Sequence, residues 1–136
     1  MQTFVISGDP TYEESAEVLD LTRLGNQAYR EGRTLINGGW PNHPASKMWR
    51  GYEHALARYC LACLRELWRR GRKYPEHIKF FLYKTAVLQN TGNPPWLGDE
   101  RVHASHRSNL MRKNYEHYSR FGWTETTDMP YYWPVG

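Results

Sequence analysis

Hydrophobic residues recur at helical spacing in four segments of the chain, and no segment shows the strict alternation of a half-buried strand. The strongest pattern runs from about Pro44 to Arg70 and predicts one long amphipathic helix, which Gly71 is expected to end. Its apolar positions follow one another at steps of three and four residues: Trp49, Tyr52, Leu56, Tyr59, Cys63 and Leu67.

Weaker patterns predict three further helices. The first spans about Thr11 to Thr34, with Asp9 or Thr11 as its cap, and another spans Pro75 to about Val87. The last is expected to start after Asp99 and to run to about Asn114. The fold predicted for residues 1–136 is therefore a single compact all-α domain of three to four helices, with long loops and an aromatic, irregular C-terminal tail.

Two finer expectations follow from the same patterns. In the helix from Pro75, Ile78, Phe81 and Leu82 are expected to face the core. On the first helix, Arg23, Gln27, Arg30 and Thr34 form a polar stripe at steps of four, three and four residues. This stripe points away from the core and is a candidate wall of a binding site.

The last predicted helix, "ERVHASHRSNLMRK", places His103, His106 and Arg107 on one face. Three interpretations compete: ligands for zinc, a clamp for phosphate and sugar near a helix N-terminus, or ordinary packed and solvated polar residues. Zinc would need a third ligand from elsewhere, and the sequence contains no recognised metal motif. Asn109 and Arg112, on the following turns, join this face as candidate DNA contacts.

A second candidate region is the turn and helix start "WPNHPASKMWRGYE". Trp40 and Trp49 can frame a pocket for a base, and Asn42 offers donors and an acceptor to a base edge. Alternatively, both tryptophans belong to the core, and Asn42 and His43 only cap the helix. Arg50 follows closely and is a candidate phosphate contact.

Composition and net charge exclude few classes of function. The net charge of +4 and the aromatic content of 15% are compatible with a phosphate-rich partner but do not prove one. Cys60 and Cys63 lie three apart within a helical pattern and are expected to be buried thiols rather than a metal or redox site. With no signal-peptide pattern and no long apolar run, the sequence predicts no membrane segment and a cytoplasmic location, in a bacterium or a phage-infected cell.

Several motifs resemble one known family. "VLDLTRLGNQ", "GGWPNHPASKMWRGYEHAL", "PWLGDERVHASHRSNLMRK" and the terminal "YYWPV" occur in order and cover most of the chain. The chain resembles the pyrimidine-dimer DNA glycosylases of the endonuclease V type, in a divergent phage and bacterial branch. The resemblance implies an all-α fold and an N-terminal α-amine that attacks the sugar C1′, forms an imine and cuts the strand by β-elimination.

Individual residues match the family pattern only in part. Arg23 corresponds to the family's helix-one arginine, whereas the glutamate that follows it falls on Leu24 and a second arginine falls near Gln27. The family chain begins with Thr after Met removal, whereas Gln2 follows Met1 in this chain. The resemblance thus implies Met1, Arg23 and Gln27 as catalytic candidates, with His103 and His106 added from the last helix.

The expected function is a DNA glycosylase-like protein that acts on a flipped or modified pyrimidine base, with glycosylase and lyase chemistry if it is active. A base-modifying transferase on the same scaffold, a non-catalytic DNA-binding or protein-interaction module and a zinc protein are the alternatives. DNA is the expected partner, and no metal, other cofactor or obligate protein partner is expected. The candidate DNA contacts are Arg30, Trp40, Asn42, His43, Trp49, Arg50, Arg107, Asn109 and Arg112.

Overall fold

The computed structural model describes residues 2–134, and the regular elements within that range are all helical. They are α1 (Glu13–Val18), α2 (Leu21–Gly25), a π-helical turn (Asn26–Glu31), α3 (Gly32–Ile36), α4 (Pro44–Trp49), α5 (Glu53–Arg69), α6 (Pro75–Val87), α7 (Glu100–Lys113), α8 (Tyr115–Tyr118) and a 3₁₀ turn (Ser119–Phe121). The predicted all-α class is confirmed.

Helix α5 forms the centre of the fold. Most of its side chains are buried, and it contacts α1, α2, α3 and α6. The thiols of Cys60 and Cys63 are free and buried in this core, as the sequence predicted. Gly71, with φ of 88°, follows the helix, and the N–H of Arg72 donates to the carbonyl of Leu67 over 2.8 Å. Many helices end with a glycine at positive φ, followed by an N–H that donates to the carbonyl five residues earlier. The predicted end of α5 is therefore confirmed.

Two of the predicted helices are each interrupted by a break. The hydrophobic spacing continues across both breaks, so the sequence pattern did not predict them. The first breaks between α1 and α2, where Leu19 and Asp20 are extended and the N–H of Asp20 donates to the hydroxyl of Tyr118 over 3.0 Å. The second breaks between α4 and α5, where Gly51 takes a φ of 85°. Residues on both sides of each break pack against the same core, which explains why the periodicity persisted.

The later helices agree better with prediction. Helix α6 has the predicted bounds, but only Phe81 is fully buried there and Leu82 is 47% exposed. Asp99 caps α7 by accepting a hydrogen bond from the N–H of Arg101, as expected. The tail is less irregular than predicted, since α8 and the 3₁₀ turn lie within it and Asn114 caps α8.

The segment from Gln2 to Ser7 is extended, and its first five residues are buried among the helices. Buried peptide groups need partners, and here side chains rather than a neighbouring strand supply them. Gln27 and His106 accept from the N–H groups of Phe4 and Val5, both over 3.0 Å. Three other side chains donate to backbone carbonyls of this segment. Tyr59 donates to the carbonyl of Phe4 over 2.7 Å, His103 to that of Val5 over 2.8 Å and Arg107 to that of Ile6 over 2.7 Å.

Gly32, at the end of the π-helical turn, lies against α5. A Cβ atom on this residue would approach the sulfur of Cys60 to 2.3 Å and the carbonyl oxygen of Gln27 to 2.6 Å. Only glycine therefore permits this close packing of the turn on α5. The π-helical turn carries Gln27 and Glu31, and such turns are frequent at functional sites.

Candidate functional site

Gln27 lies where the extended segment meets the π-helical turn, and its side chain is almost fully buried. Its Nε2 donates to the carbonyl of Gln2 over 3.0 Å and to Oε2 of Glu31 over 3.1 Å. Its Oε1 accepts from the N–H of Phe4 over 3.0 Å and lies 3.0 Å from the hydroxyl oxygen of Tyr59. One carboxamide thus fixes the backbone of residues 2–4 beside a carboxylate.

A cavity of about 280 Å³ opens at this point. We call it the Gln27 cavity, and the polar residues used below are Gln2, Arg23, Gln27, Glu31, Lys113 and Tyr131. Arg23 is one-quarter exposed and lies 3.3 Å from a carboxylate oxygen of Asp20. With Arg23 and Lys113 at its wall, the cavity suits an anionic ligand that can also form hydrogen bonds.

Glu31 is the one carboxylate that lines the Gln27 cavity within residues 2–134. Burial raises the pKa of its carboxyl group, and the hydrogen bond from Gln27 opposes that rise. A carboxyl group with a raised pKa can accept or return a proton closer to neutral pH than an exposed glutamate can. Glu31 is absent from the catalytic candidates that the sequence predicted.

A second, larger cavity of about 690 Å³ adjoins the first and shares Asn26 and Glu31 with it. We call it the Trp40 groove, and its other residues include Tyr29, Arg30, Arg33, Trp40 and His77. The predicted helix-one stripe is therefore divided between the two cavities. Arg23 and Gln27 line the first, whereas Arg30 lines the second.

The predicted histidine face lies inside the protein. His103 and His106 are 1% and 0% exposed, and they bind the backbone C=O and N–H of one residue, Val5. Nδ1 of His103 donates to the carbonyl of Val5, and Nδ1 of His106 accepts from its N–H. Burial lowers the pKa of His106 to about 3, so its imidazole is neutral at physiological pH. Their placement corrects the expectation of a DNA-facing wall, since both rings hold the extended segment.

The polar residues next to these histidines also form hydrogen bonds or ion pairs within the protein. Arg107 pairs with Glu125 over 2.8 Å and with Glu100, and it donates to the carbonyl of Ile6. Its guanidinium therefore serves an internal network rather than a phosphate clamp. Asn109 is fully buried and donates to the carbonyls of Ser105 and Met129 over 2.8 and 3.0 Å.

Residues from the start of α4 lie apart from the Gln27 cavity. Trp49 is 1% exposed and donates from Nε1 to Thr3 over 2.8 Å, so it is a core residue, although it also lines a small cavity of about 170 Å³ beside Arg50. His43 caps α4 by accepting from the N–H of Ala45 over 3.0 Å. Arg50 is exposed and donates to the carbonyl of Pro41.

Three other predicted residues have different placements. Asn42 and Arg112 are exposed, and their assignment as DNA contacts stays a prediction. Arg112 also donates to the side chain of Asn109. Met1 lies outside the described residues. The predicted candidate regions therefore do not converge on one cavity. The Gln27 cavity draws instead on Glu31, one turn after Gln27, and on Gln2, Lys113 and Tyr131, which are distant from it in sequence.

The fold and these cavities define an all-helical protein with an arginine-bearing polar pocket built on the first 80 residues. Residues 1–80 match the pyrimidine dimer DNA glycosylase family, and the chain belongs to that family. The match includes every residue of the Trp40 groove and all those of the Gln27 cavity except Lys113 and Tyr131. DNA is therefore its substrate class.

Comparison with curated proteins and with solved structures gave no significant match. Over residues 2–134, no cluster of three or more His, Cys, Asp or Glu side chains is arranged to hold a metal ion. In the same range, no helix combines the length and apolarity needed to cross a bilayer.

Proposed function

We propose that the chain excises a pyrimidine base from DNA and that the target nucleotide, flipped out of the duplex, enters the Gln27 cavity. The observation that carries this proposal is the pair of hydrogen bonds from Gln27 to Gln2 and to Glu31. They hold the start of the described chain and a half-buried carboxylate side by side, next to Arg23. An enzyme that forms an imine needs a fixed amine and a proton carrier in this arrangement.

In the reaction that the family resemblance implies, an α-amine attacks the sugar C1′ while the bond from C1′ to the base breaks. We assign this amine to Met1, the residue before Gln2 and the catalytic candidate that the family resemblance implies. The leaving base takes up one proton of the amine. The C1′–O4′ bond then opens as the imine forms, and O4′ takes up the second proton. Removal of a proton from C2′ then expels the 3′ phosphate.

Glu31 is the group that we assign to the proton transfers. Its raised pKa suits a residue that accepts a proton from the amine and returns one to the departing base. Leu24, at the position of the family glutamate, is fully buried in the core and cannot take that role. Glu31, further along the same helical run, reaches the cavity instead.

Borohydride reduction tests the proposal, because it converts an imine into a stable protein–DNA bond. The purified chain would be incubated with UV-irradiated DNA and with abasic DNA, reduced, and digested for mass spectrometry. We expect an adduct at the amino-terminal residue, together with strand cleavage in unreduced samples. An adduct on a lysine would reassign the amine, whereas binding of both DNAs without an adduct would overturn the imine route and favour a non-catalytic DNA-binding module.

A further inference from the structure

Trp40, in the groove named after it, combines an exposed side chain with a strained backbone conformation. Trp40 is 51% exposed and takes a φ of 51°, in the left-handed region that side chains larger than Asn rarely adopt. Its carbonyl accepts from Ser46 Oγ over 2.6 Å and from the N–H of His43 over 3.1 Å, which holds the turn in place. A large, exposed aromatic residue in a strained conformation is a candidate for a binding contact.

The groove also contains an arginine without a partner. Arg30 is exposed, and within residues 2–134 its guanidinium makes no hydrogen bond or ion pair. Arg33 is engaged instead, 3.9 Å from the centre of the Phe80 ring and 3.3 Å from Nδ1 of His77. Among residues 2–134, the groove therefore offers the unpaired guanidinium of Arg30 and the half-exposed ring of Trp40. Phosphate and base are the two parts of a nucleotide that these groups bind.

The position of the groove connects it with the site of base excision. It shares Asn26 and Glu31 with the Gln27 cavity, so the two openings are contiguous. A strand that places one nucleotide in the cavity must continue past its edge. The groove adjoins that edge, and its volume of about 690 Å³ exceeds that of the cavity.

We propose that the Trp40 groove binds the nucleotide adjacent to the excised one on the same strand, with its base stacked on Trp40 and its phosphate on Arg30. The chain would then act on DNA in which two neighbouring nucleotides leave the helical stack. This inference rests on the proposed function, because it takes the Gln27 cavity as the site of the target nucleotide. It adds a second subsite and requires no chemistry there.

The test uses an oligonucleotide with a non-cleavable abasic analogue and, next to it, the fluorescent base 2-aminopurine, whose emission falls when it stacks. Trp40→Ala is compared with Trp40→Phe, which keeps an aromatic ring. The control is Trp68→Ala, because Trp68 is 44% exposed but does not line the groove. We expect wild type to quench the probe. Trp40→Ala should abolish the quenching and weaken binding about 5- to 100-fold, while Trp40→Phe and Trp68→Ala retain both.

The outcomes separate this inference from the function on which it rests. If wild type binds the oligonucleotide but Trp40→Ala and Trp68→Ala behave alike, the adjacent-nucleotide subsite is wrong and the proposed function stands. If wild type does not bind the DNA, both are overturned. Arg30→Ala provides an independent measurement, because loss of one phosphate contact should reduce the slope of log affinity against log salt by about one. An unchanged slope would remove Arg30 from the subsite.

Discussion

Nε2 of Gln27 donates a hydrogen bond to the backbone carbonyl of Gln2 over 3.0 Å, although the two residues lie on opposite sides of α1 in the chain. The same nitrogen reaches Glu31 over 3.1 Å, and the carboxamide oxygen receives the N–H of Phe4. The placement of the extended segment and the orientation of the candidate acid–base group therefore depend on one side chain.

Replacement of Gln27 by Leu is expected to lower the free energy of unfolding by about 2–4 kcal/mol, because the N–H of Phe4 and the carbonyl of Gln2 lose buried partners. Urea denaturation measures the change. Gln89→Leu is the matched control, since Gln89 is exposed, and it should change stability by less than about 0.5 kcal/mol. Equal effects of the two substitutions would contradict the role assigned to Gln27.

Glu31→Gln should reduce the rate of adduct formation in a single turnover by about 100-fold or more, because the amide cannot transfer a proton. Stability should not fall, since burial of the carboxylate raises its pKa and disfavours the charged form. If Glu31 acts as a base, the wild-type rate should fall as the pH drops through this raised pKa. Glu53→Gln is the control, because Glu53 accepts from the N–H of Gly51 outside the Gln27 cavity. Retained activity in Glu31→Gln would exclude Glu31 from the proton transfers.

Acid should destabilise the protein through His106. Burial lowers the pKa of His106 to about 3 in the folded state, whereas an unfolded histidine titrates near 6.5. The unfolded chain thus binds a proton that the folded chain excludes. The stability from His106 is fully present above pH 6.5 and is lost as the pH falls toward 3, at up to about 1.4 kcal/mol per pH unit.

Urea midpoints measured between pH 7.5 and 4.5 test this dependence on His106. His106→Gln removes the titrating ring while keeping an acceptor for the N–H of Val5, so the curve should flatten. His54→Gln, which changes a partly exposed histidine on α5, should leave the wild-type slope. A wild-type slope in His106→Gln would show that other groups cause the acid sensitivity.

Trp40→Asn should stabilise the fold by about 1 kcal/mol, because asparagine tolerates the left-handed backbone that Trp40 adopts at φ of 51°. The half-exposed indole contributes little packing that would offset this gain. Thermal denaturation of Trp40→Asn and Trp68→Asn gives the comparison, since Trp68 lies within α5 at ordinary helical geometry. A destabilised Trp40→Asn would mean that the indole supports the fold.

Local signals predicted several elements well. Pro75 and Asp99 mark the starts of α6 and α7, and Gly71 follows the end of α5, because caps and helix-ending turns depend on residues close in sequence. The breaks at Asp20 and Gly51 escaped prediction. Asp20 is held by Tyr118, far along the chain, and no local pattern reveals such a partner.

The candidate site was predictable only in part, for the same reason. Arg23 and Gln27 stood out on a polar stripe, and both line the Gln27 cavity. His103 and His106 looked like ligand-binding residues because a polar helix face ordinarily meets solvent. Instead they contact the backbone N–H and C=O of Val5, which have no partner strand and so need side-chain hydrogen bonds. Only the three-dimensional path of residues 2–7 distinguishes these two uses.

The path of this segment also constrains the order in which the protein can be assembled. The bond between Val5 and His106 joins residues 101 positions apart, so residues 2–7 cannot be enclosed until α7 has been synthesised. During translation, these first residues must wait outside the ribosome while about a hundred others follow. Closing so long a loop is slow, and the Gln27 cavity is therefore expected to be completed among the last steps of folding. A truncated chain that lacks α7 would contain the family-matched residues and still have no finished pocket.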